Sequence, residues 1–453
     1  MARPCKVVIA GGGIAGLALA LMLEKHGVDY LLLEAHPELV ATVGAGIAMV
    51  PNGLRILDQL GCYEDLLCRA QNPVDQIHLR RPDGEPLWAM EEGLERESTE
   101  RHGYPMVWVD RKTLLEVLFD HIADKSKLLS RRRVATIIHT DDRVNVVTTD
   151  GSMYSGDIIV GTDGTHSTVR QEIVRRAREL GLGEDYAEED RKFGAAEVAA
   201  NYSCIFGMST AVPGIPSRCI DFVFNENFSY VMGSGPENRV YWFIMMKMAQ
   251  AVHGSEIPRF TEEDKERAIR EHWNDPITPD VRLSDLYRAR LRVIYTPIPE
   301  FVYKKWHVGR MITIGDACHK VLPITAQGGN QALESAAAVT NGLMMALSQP
   351  PSCGPLSLTE VQSMFEQVQK MRSPRAGQII RTTHIRQQVD AMETAELKHF
   401  ALNEYARGLP GALFGRWTET YGPAVSLKGL PIPARPRRVL FKDEFQKERL
   451  ARL

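Results

Sequence analysis

Gly11, Gly13 and Gly16 follow the β-branched run Lys6-Val-Val-Ile-Ala10 and lead into the helical run Leu17 to Lys25. In that setting the first glycine makes a tight turn and the second lets a pyrophosphate approach the backbone. The third lets helix pack on strand, and the helix N-terminus then faces the phosphates. After a helix stop at Gly27, the apolar strand Tyr30-Leu-Leu-Leu-Glu34 ends on a carboxylate. A carboxylate there accepts hydrogen bonds from both ribose hydroxyls and favours an unphosphorylated adenosine ribose, hence FAD or NAD rather than NADP. The glycine spacing alone also fits a turn without ligand; the strand-turn-helix-strand context gives it meaning.

The elements that must position these residues are spread along the chain. Asp157-Ile-Ile-Val-Gly161 and Arg310-Met-Ile-Thr-Ile-Gly315 read as two more short buried strands, each ending in a Gly/Asp turn. A nucleotide-binding domain assembled from separated segments follows. Between about 195 and 300 the pattern turns to β-type segments, Glu197 to Met208, Cys219 to Phe224, Phe228 to Met232 and Arg239 to Met248, which predict an antiparallel sheet. Helices are expected over Gln331 to Leu347 and from Leu358 to Gln388, the latter broken at Ser373-Pro374. The tail from Pro431 to Leu453, with seven Lys/Arg against three Asp/Glu, reads as a solvated arm.

The fold class is therefore α/β: a Rossmann-like nucleotide-binding domain in discontinuous segments (1–80, 105–185 and 301–345), a substrate-side insertion (81–104), a β-sheet substrate domain (186–300) and a C-terminal helical region (346–453). The chain has 453 residues, 44% of them apolar, enough for two or three regions with a large core. Its net charge of -3, with both signs interspersed, gives no basic field for nucleic acid. Seven cysteines form no C-x-x-C pair, which argues against zinc and dithiol chemistry and for a reducing, cytoplasmic setting. The uncharged run Val7 to Leu23 is rich in glycine rather than leucine and lacks a cleavage site, so no transmembrane segment is expected.

Three further segments carry a family resemblance. They are Asp157-Ile-Ile-Val-Gly-Thr-Asp163-Gly164-Thr-His-Ser167-Thr-Val-Arg170; Ile314-Gly315-Asp316-Ala317-Cys318-His319-Lys320 with Pro323 and Gln327-Gly328-Gly329-Asn330; and Gly44-Ala-Gly46-Ile-Ala-Met-Val-Pro51-Asn52-Gly53. With the opening fingerprint, and in this order, they resemble the motifs of the group A FAD monooxygenases of the para-hydroxybenzoate hydroxylase type, over residues 1 to about 345. Arg191-Lys-Phe, Tyr202-Ser-Cys-Ile-Phe-Gly207 and Val240-Tyr-Trp-Phe243 are most similar to the fungal secondary-metabolite members that epoxidise prenyl chains or oxidise indole alkaloids.

The resemblance implies non-covalent FAD, with Gly11, Gly13 and Gly16 flanking the pyrophosphate and Glu34 on the ribose. It implies Arg111 steadying the diphosphate and ribityl region, and Asp163 and Asp316 on the cofactor, Asp316 toward the ribityl and phosphate side. Gly46 and Ala48 would offer backbone beside the flavin, and the turn Gly328-Gly329-Asn330 opens a helix whose amides point at the flavin pyrimidine edge. Arg191 is implied to be catalytic, facing flavin and substrate, although the run Glu188 to Lys192 also reads as solvated surface. His319 is read as a turn residue and Cys318 as a small buried packer.

The implied reaction uses NAD(P)H as a transient co-substrate, since no second nucleotide fingerprint is present, and O2. One oxygen atom passes through a C4a-hydroperoxyflavin to an electron-rich double bond. The expected substrate is a small apolar aromatic molecule, a prenylated indole alkaloid; the alternative is a prenyl chain in terpenoid or meroterpenoid biosynthesis. One or two of Phe222, Phe224, Phe228, Tyr230, Trp242 and Phe243 would line its pocket. The halogenase segment Trp-x-Trp-x-Ile-Pro is absent from the sequence. A non-catalytic carrier on the same fold would be expected to have lost Glu34, Arg111, Asp316 and Gly328-Gly329, all of which stand.

Overall fold

Val7, Val8 and Ile9 are stiff, apolar residues that suit a strand covered on both faces, and in the computed structural model they lie at the centre of a parallel sheet. The structure describes residues 3–40, 46–182, 186, 198–349 and 354–445, with the backbone alone at 409 and 410. The six strands run in the order His307–Val308, Met311–Thr313, Ile158–Gly161, Lys6–Ala10, Asp29–Leu33, Leu128–Leu129, and only the first is antiparallel to its neighbour. Val8 stands opposite Ile159 on one side and Leu31 on the other. This register brings the turns after Ala10, Leu33, Gly161 and Thr313 to one edge, the carboxyl ends of the parallel strands, where open α/β sheets bind ligands.

Each face of this sheet is covered. The helix Ile14–Lys25, apolar around its whole circumference, packs with the helix Gln327–Ser348 on one face. On the other lie the helix Thr168–Glu179 and a three-stranded meander, Val134–His139, Val144–Thr148 and Met153–Gly156.

A second sheet of eight strands has the order His319–Lys320, Arg290–Val302, Ala199–Ser209, Val240–His253, Phe228–Ser234, Cys219–Phe224, Gln76–Arg80, Pro86–Met90. It is antiparallel except where Cys219–Phe224 runs parallel to Gln76–Arg80. The strand Gln76–Arg80, on the nucleotide side of the expected boundary at residue 80, thus hydrogen-bonds into the second sheet. A short ladder, Gly46–Met49 against Val107–Asp110, lies between the two sheets in the chain and carries Gly46 opposite Asp110.

Two expectations for the C-terminal region are corrected. The helix Leu358–Asp390 runs unbroken through Pro374. Arg372 and Arg375, on either side of that proline, are both anchored on buried Glu334, and tertiary contact overrides the local break. The described part of the tail is not a solvated arm either. Arg435 pairs with Asp58 at 2.5 Å and Glu64 at 2.6 Å and lies over the Tyr63 ring. Phe441 is 1% exposed beneath the Arg55 guanidinium, because the tail's arginines meet carboxylates and rings of the first domain.

Candidate active site

Gly11 has φ +108°, and a Cβ there would sit 2.7 Å from the Thr162 carbonyl oxygen. The Thr162 hydroxyl closes the same turn by donating to the carbonyls of Ala10 (2.8 Å) and Gly11 (2.7 Å). A Cβ on Gly16 would strike the Gly11 carbonyl. These two glycines are demanded by the protein itself. Gly13 is different: its φ is −73° and a Cβ would meet only the Arg111 guanidinium, 3.5 Å away. Glu34 lies against the turn, with one carboxylate oxygen accepting from Gly12 N–H at 2.5 Å and the other from His36 N–H at 2.7 Å.

Arg111 begins the helix Arg111–His121 directly after the ladder strand and reaches over Gly13. Burial pulls its pKa down while Asp316 and Glu34 oppose that, so the cation stands between two carboxylates. Asp316 follows Thr313 in a single tight turn, Gly315–Ala317, and pairs with Lys320. Burial alone would raise its pKa; the Lys320 ammonium and the Arg111 guanidinium more than offset this and hold it below the ordinary value. Asp163 behaves otherwise. Its carboxylate accepts from Thr168 N–H (2.7 Å), Val169 N–H (3.2 Å) and the Ser167 hydroxyl, so it caps the helix Thr168–Glu179, and only backbone at this position borders Gly11.

The opposite wall is built on the helix Gln327–Ser348, which starts four residues before its expected first residue, out of a left-handed Ala326 (φ +56°). A Cβ on Gly329 would come within 2.5 Å of the Ile47 side chain, so this glycine lets the helix meet the ladder. Gly328 has nothing within 4 Å of the Cβ position. Asn330 donates to the carbonyls of Ala48 (3.1 Å) and Ala326 (2.6 Å) and accepts from Val50 N–H (3.3 Å), clamping the ladder strand to the helix. Gly46 lies under the Tyr241 ring, where a Cβ would collide. Gly44, Ala45 and Arg191 lie outside the described residues.

Gly11, Gly13, Gly16, Glu34, Arg111 and Asp316 therefore gather at the carboxyl edge of the first sheet, with Gly46, Ala48, Gly328, Gly329 and Asn330 on the adjoining wall. The donor set fits a dinucleotide. Gly13 and Gly328 have no steric or conformational reason in the protein to be glycine, and each leaves room beside a helix N-terminus. Buried Gln327, the first residue of that helix, has an amide nitrogen with no hydrogen-bond partner among the described residues. Residues 4–353 match the family model described as FAD binding domain.

The chain belongs to that family. It is similar to FAD-dependent monooxygenases of fungi: olcE of Penicillium canescens, 34% identical over 433 residues that cover 95% of this chain and 90% of that protein, and andE of Emericella variicolor, 35% over 374 residues (83% and 77%). anuJ of Penicillium roqueforti is 35% identical over 391 residues, 84% of this chain, which spans 47% of that protein. Among solved structures, Klebsiella pneumoniae HpxO complexed with FAD and uric acid superposes with TM-score 0.74 at 20% identity (92% of this chain, 96% of that one). A salicylate hydroxylase substrate complex does so with TM-score 0.69 at 17% (92% and 95%); both share the fold. The protein is an FAD-dependent monooxygenase, and FAD is its cofactor.

In the monooxygenase's second sheet the side chains alternate between two surroundings. Phe206, Phe222, Phe224, Tyr241 and Phe243 share a cluster with Trp108, Leu322 and Ile324, on the face toward the C-terminal helices and the loop before Gln327. Phe243 touches Phe206 (centroids 5.3 Å) and Trp108 (5.8 Å). Phe228, Tyr230 and Trp242 lie on the reverse face under the helices Glu262–Glu271 and Leu283–Arg288. Trp242 donates there to Ser209 (2.9 Å) and Tyr230 to Asp275 (2.8 Å). Half of the expected aromatic set is thus packing on the far side.

Sequence reasoning missed a buried polar group behind the wall formed by Gly328, Gly329 and Asn330. Glu334 accepts from Arg372 (2.6 Å), both ends of the Arg375 guanidinium (2.6 Å each), Asn52 (2.7 Å) and Gln331 (3.1 Å). The signal was the spacing 327, 331, 334 of long polar side chains in an alanine-rich helix, together with Arg372 and Arg375 three apart. His319 donates to or accepts from Ser335 at 2.8 Å, and burial together with Arg372 pushes its pKa down to about 3, so it is neutral. Burial raises the Cys318 thiol well above its usual range and leaves it unreactive. Among the described residues no three metal-binding groups cluster, and no helix is long and apolar enough to cross a membrane.

Proposed function

We propose that this monooxygenase uses NAD(P)H and O2 to transfer one oxygen atom to an electron-rich double bond of an apolar substrate in fungal secondary metabolism, by epoxidation or hydroxylation, and that the substrate is a prenylated indole alkaloid. The observation that carries the reading is the apolar, aromatic sheet face of Phe206, Phe222 and Phe243 bordering the loop before Gln327. Flat rings pack well against such a face. Met208, Met245, Leu322 and Ile324 in the same cluster also suit a prenyl chain alone, which supports the second reading, an epoxidase of terpenoid or meroterpenoid chains.

Bound FAD supplies the two-electron reduction by NAD(P)H and the activation of O2. On this reading Gly11, Gly13 and Gly16 admit the pyrophosphate, Glu34 turns its carboxylate to the ribose, and Arg111 and Asp316 hold the diphosphate and ribityl side. The backbone of Gly46, Ala48, Gly328 and Gly329 borders the flavin, while Asn330 and Asp163 act by fixing these segments. Arg191 is assigned to the reacting face, where it donates a hydrogen bond to oxygen as it is transferred. Segments 1–80, 105–185 and 301–345 hold the cofactor, and 186–300 with 81–104 hold the substrate. A cytoplasmic location accords with the unpaired, buried Cys5, Cys62, Cys204, Cys219 and Cys318.

The test is oxygenation of a panel of prenylated indoles and prenylated non-indole phenols with NAD(P)H and labelled O2. A product carrying one labelled atom is expected; oxygen drawn only from water overturns the mechanism. Turnover confined to non-indole prenyl compounds selects the second reading. A protein that purifies colourless and does not take up FAD would overturn this reading.

A further inference from the structure

The Glu334 cluster is unusual in its charge count. Glu334 and Arg372 have fully buried side chains and Arg375 is 9% exposed, so one anion faces two cations. Among the described residues no other carboxylate bonds either guanidinium: Arg372 uses its remaining donors on Ser335 and Gln331, and Arg375 on the Thr420 carbonyl. Burial works against ionised Glu334, yet the two arginines bring its pKa down to about 2, so it stays charged at any ordinary pH. Neutral His319 does not alter the sum. A cluster that merely held two helices together would be balanced, or apolar, because uncompensated buried charge is costly.

The surplus lies where it has a target. Glu334 is five residues beyond Gly329, about 8 Å along the helix axis, and Gln331 and Gln327 link it to the first turn. The helix dipole already places partial positive charge at that end. Both arginines belong to the helix Leu358–Asp390, beyond the segment 4–353 that matches the FAD binding domain.

We propose that Glu334, Arg372 and Arg375 form a buried net-positive cluster that raises the two-electron reduction potential of the FAD, the C-terminal region supplying a charge the nucleotide-binding domain lacks. This rests on the placement of FAD in the cleft argued above. The three are positioning residues that act through the helix and the field it carries; they do not touch substrate.

The experiment is the midpoint potential of FAD in the purified full-length holoenzyme, by anaerobic equilibration with a reference dye, for the parent and four variants. Counting charge, R372Q makes the cluster neutral, E334Q makes it doubly positive, the double variant E334Q/R372Q restores the parent sum, and R372K keeps it. A unit charge acting over roughly 12 Å at an effective dielectric constant near 20 changes an equilibrium constant about tenfold. For a two-electron couple that is about 30 mV. R372Q is expected to fall by about that shift, E334Q to rise by it, and the double variant and R372K to stay near the parent. Shifts of the same sign in R372Q and E334Q, or equal potentials throughout an FAD-replete set, overturn the proposal. If E334Q fails to fold, R372Q against R372K carries the sign. Loss of flavin from every variant, R372K included, would make the cluster a packing device and also overturn it. Lack of FAD in the parent would instead overturn the placement in the cleft.

Discussion

On the proposed placement of FAD, Gly13 and Gly328 separate what the protein needs from what its cofactor needs. Replacing Gly11 forces a side chain into a left-handed backbone against the Thr162 carbonyl, so Gly11→Ala is expected to destabilise the fold. Gly328→Ala meets open space in a helical turn and is expected to keep the thermal midpoint of the flavin-free protein while weakening FAD binding at least tenfold. Flavin absorbance after dialysis, beside apoprotein melting, checks both; unchanged FAD affinity would remove Gly328 from the flavin wall. Arg191→Ala is expected to slow turnover by roughly 10²- to 10³-fold at normal FAD content, as loss of an oxyanion donor does. Parent-like turnover would remove Arg191 from the reacting face. That Gly11, Gly16 and Glu34 share one turn was legible from their spacing, while Asp316 came only from the resemblance of its motif. The capping role of Asp163 was not legible, because an Asp that caps a helix and one that faces a ligand read alike in sequence.

At the scale of elements, the chain favours long-range contact over local preference in the helix Leu358–Asp390. Pro374 is exposed and removes one backbone hydrogen bond from the helix interior, so Pro374→Ala is expected to stabilise the protein by about 1–3 kcal/mol. Chemical denaturation measures it, and a loss of stability would mean that the proline shapes the helix for the two arginines flanking it. Four strands of each sheet were readable from apolar and β-branched runs, whereas Arg290–Val302, Gln76–Arg80 and Pro86–Met90 of the second sheet were not. The proline was misread because the anchors that hold the helix straight sit on Glu334, some 40 residues away in sequence. The tail was misread for a related reason: its arginines look solvated until Asp58, Glu64 and Tyr63 are brought beneath them.

Across the whole molecule, the buried His102 and His319 and the half-buried His307 make the fold sensitive to falling pH. Burial lowers the pKa of His102 and His307 to about 4 and of His319 to about 3, below their unfolded value of about 6.5. Because the folded state binds these protons less readily, their contribution to stability is complete above pH 6.5 and is lost as pH falls toward 4 and 3. Glu334, lowered to about 2, adds a second loss below about pH 4.5. The thermal midpoint is therefore expected to decline from near pH 6.5 downward, and a flat profile between pH 7 and 4 would contradict this.

The order of strands in the first sheet has a consequence for the protein's synthesis. Lys6–Ala10 pairs with Asp29–Leu33 early, but its other neighbour is Ile158–Gly161 and the next strand is Met311–Thr313. At 5–20 residues per second a ribosome needs roughly 15–60 s between the first strand and the last. Throughout that interval the helix Ile14–Lys25, whose first ten residues are all buried in the finished protein, has no partner from the helix Gln327–Ser348 that will cover it. The cofactor cleft is thus among the last features to exist on a nascent chain, and the apolar segment that underlies it is among the first to need shelter.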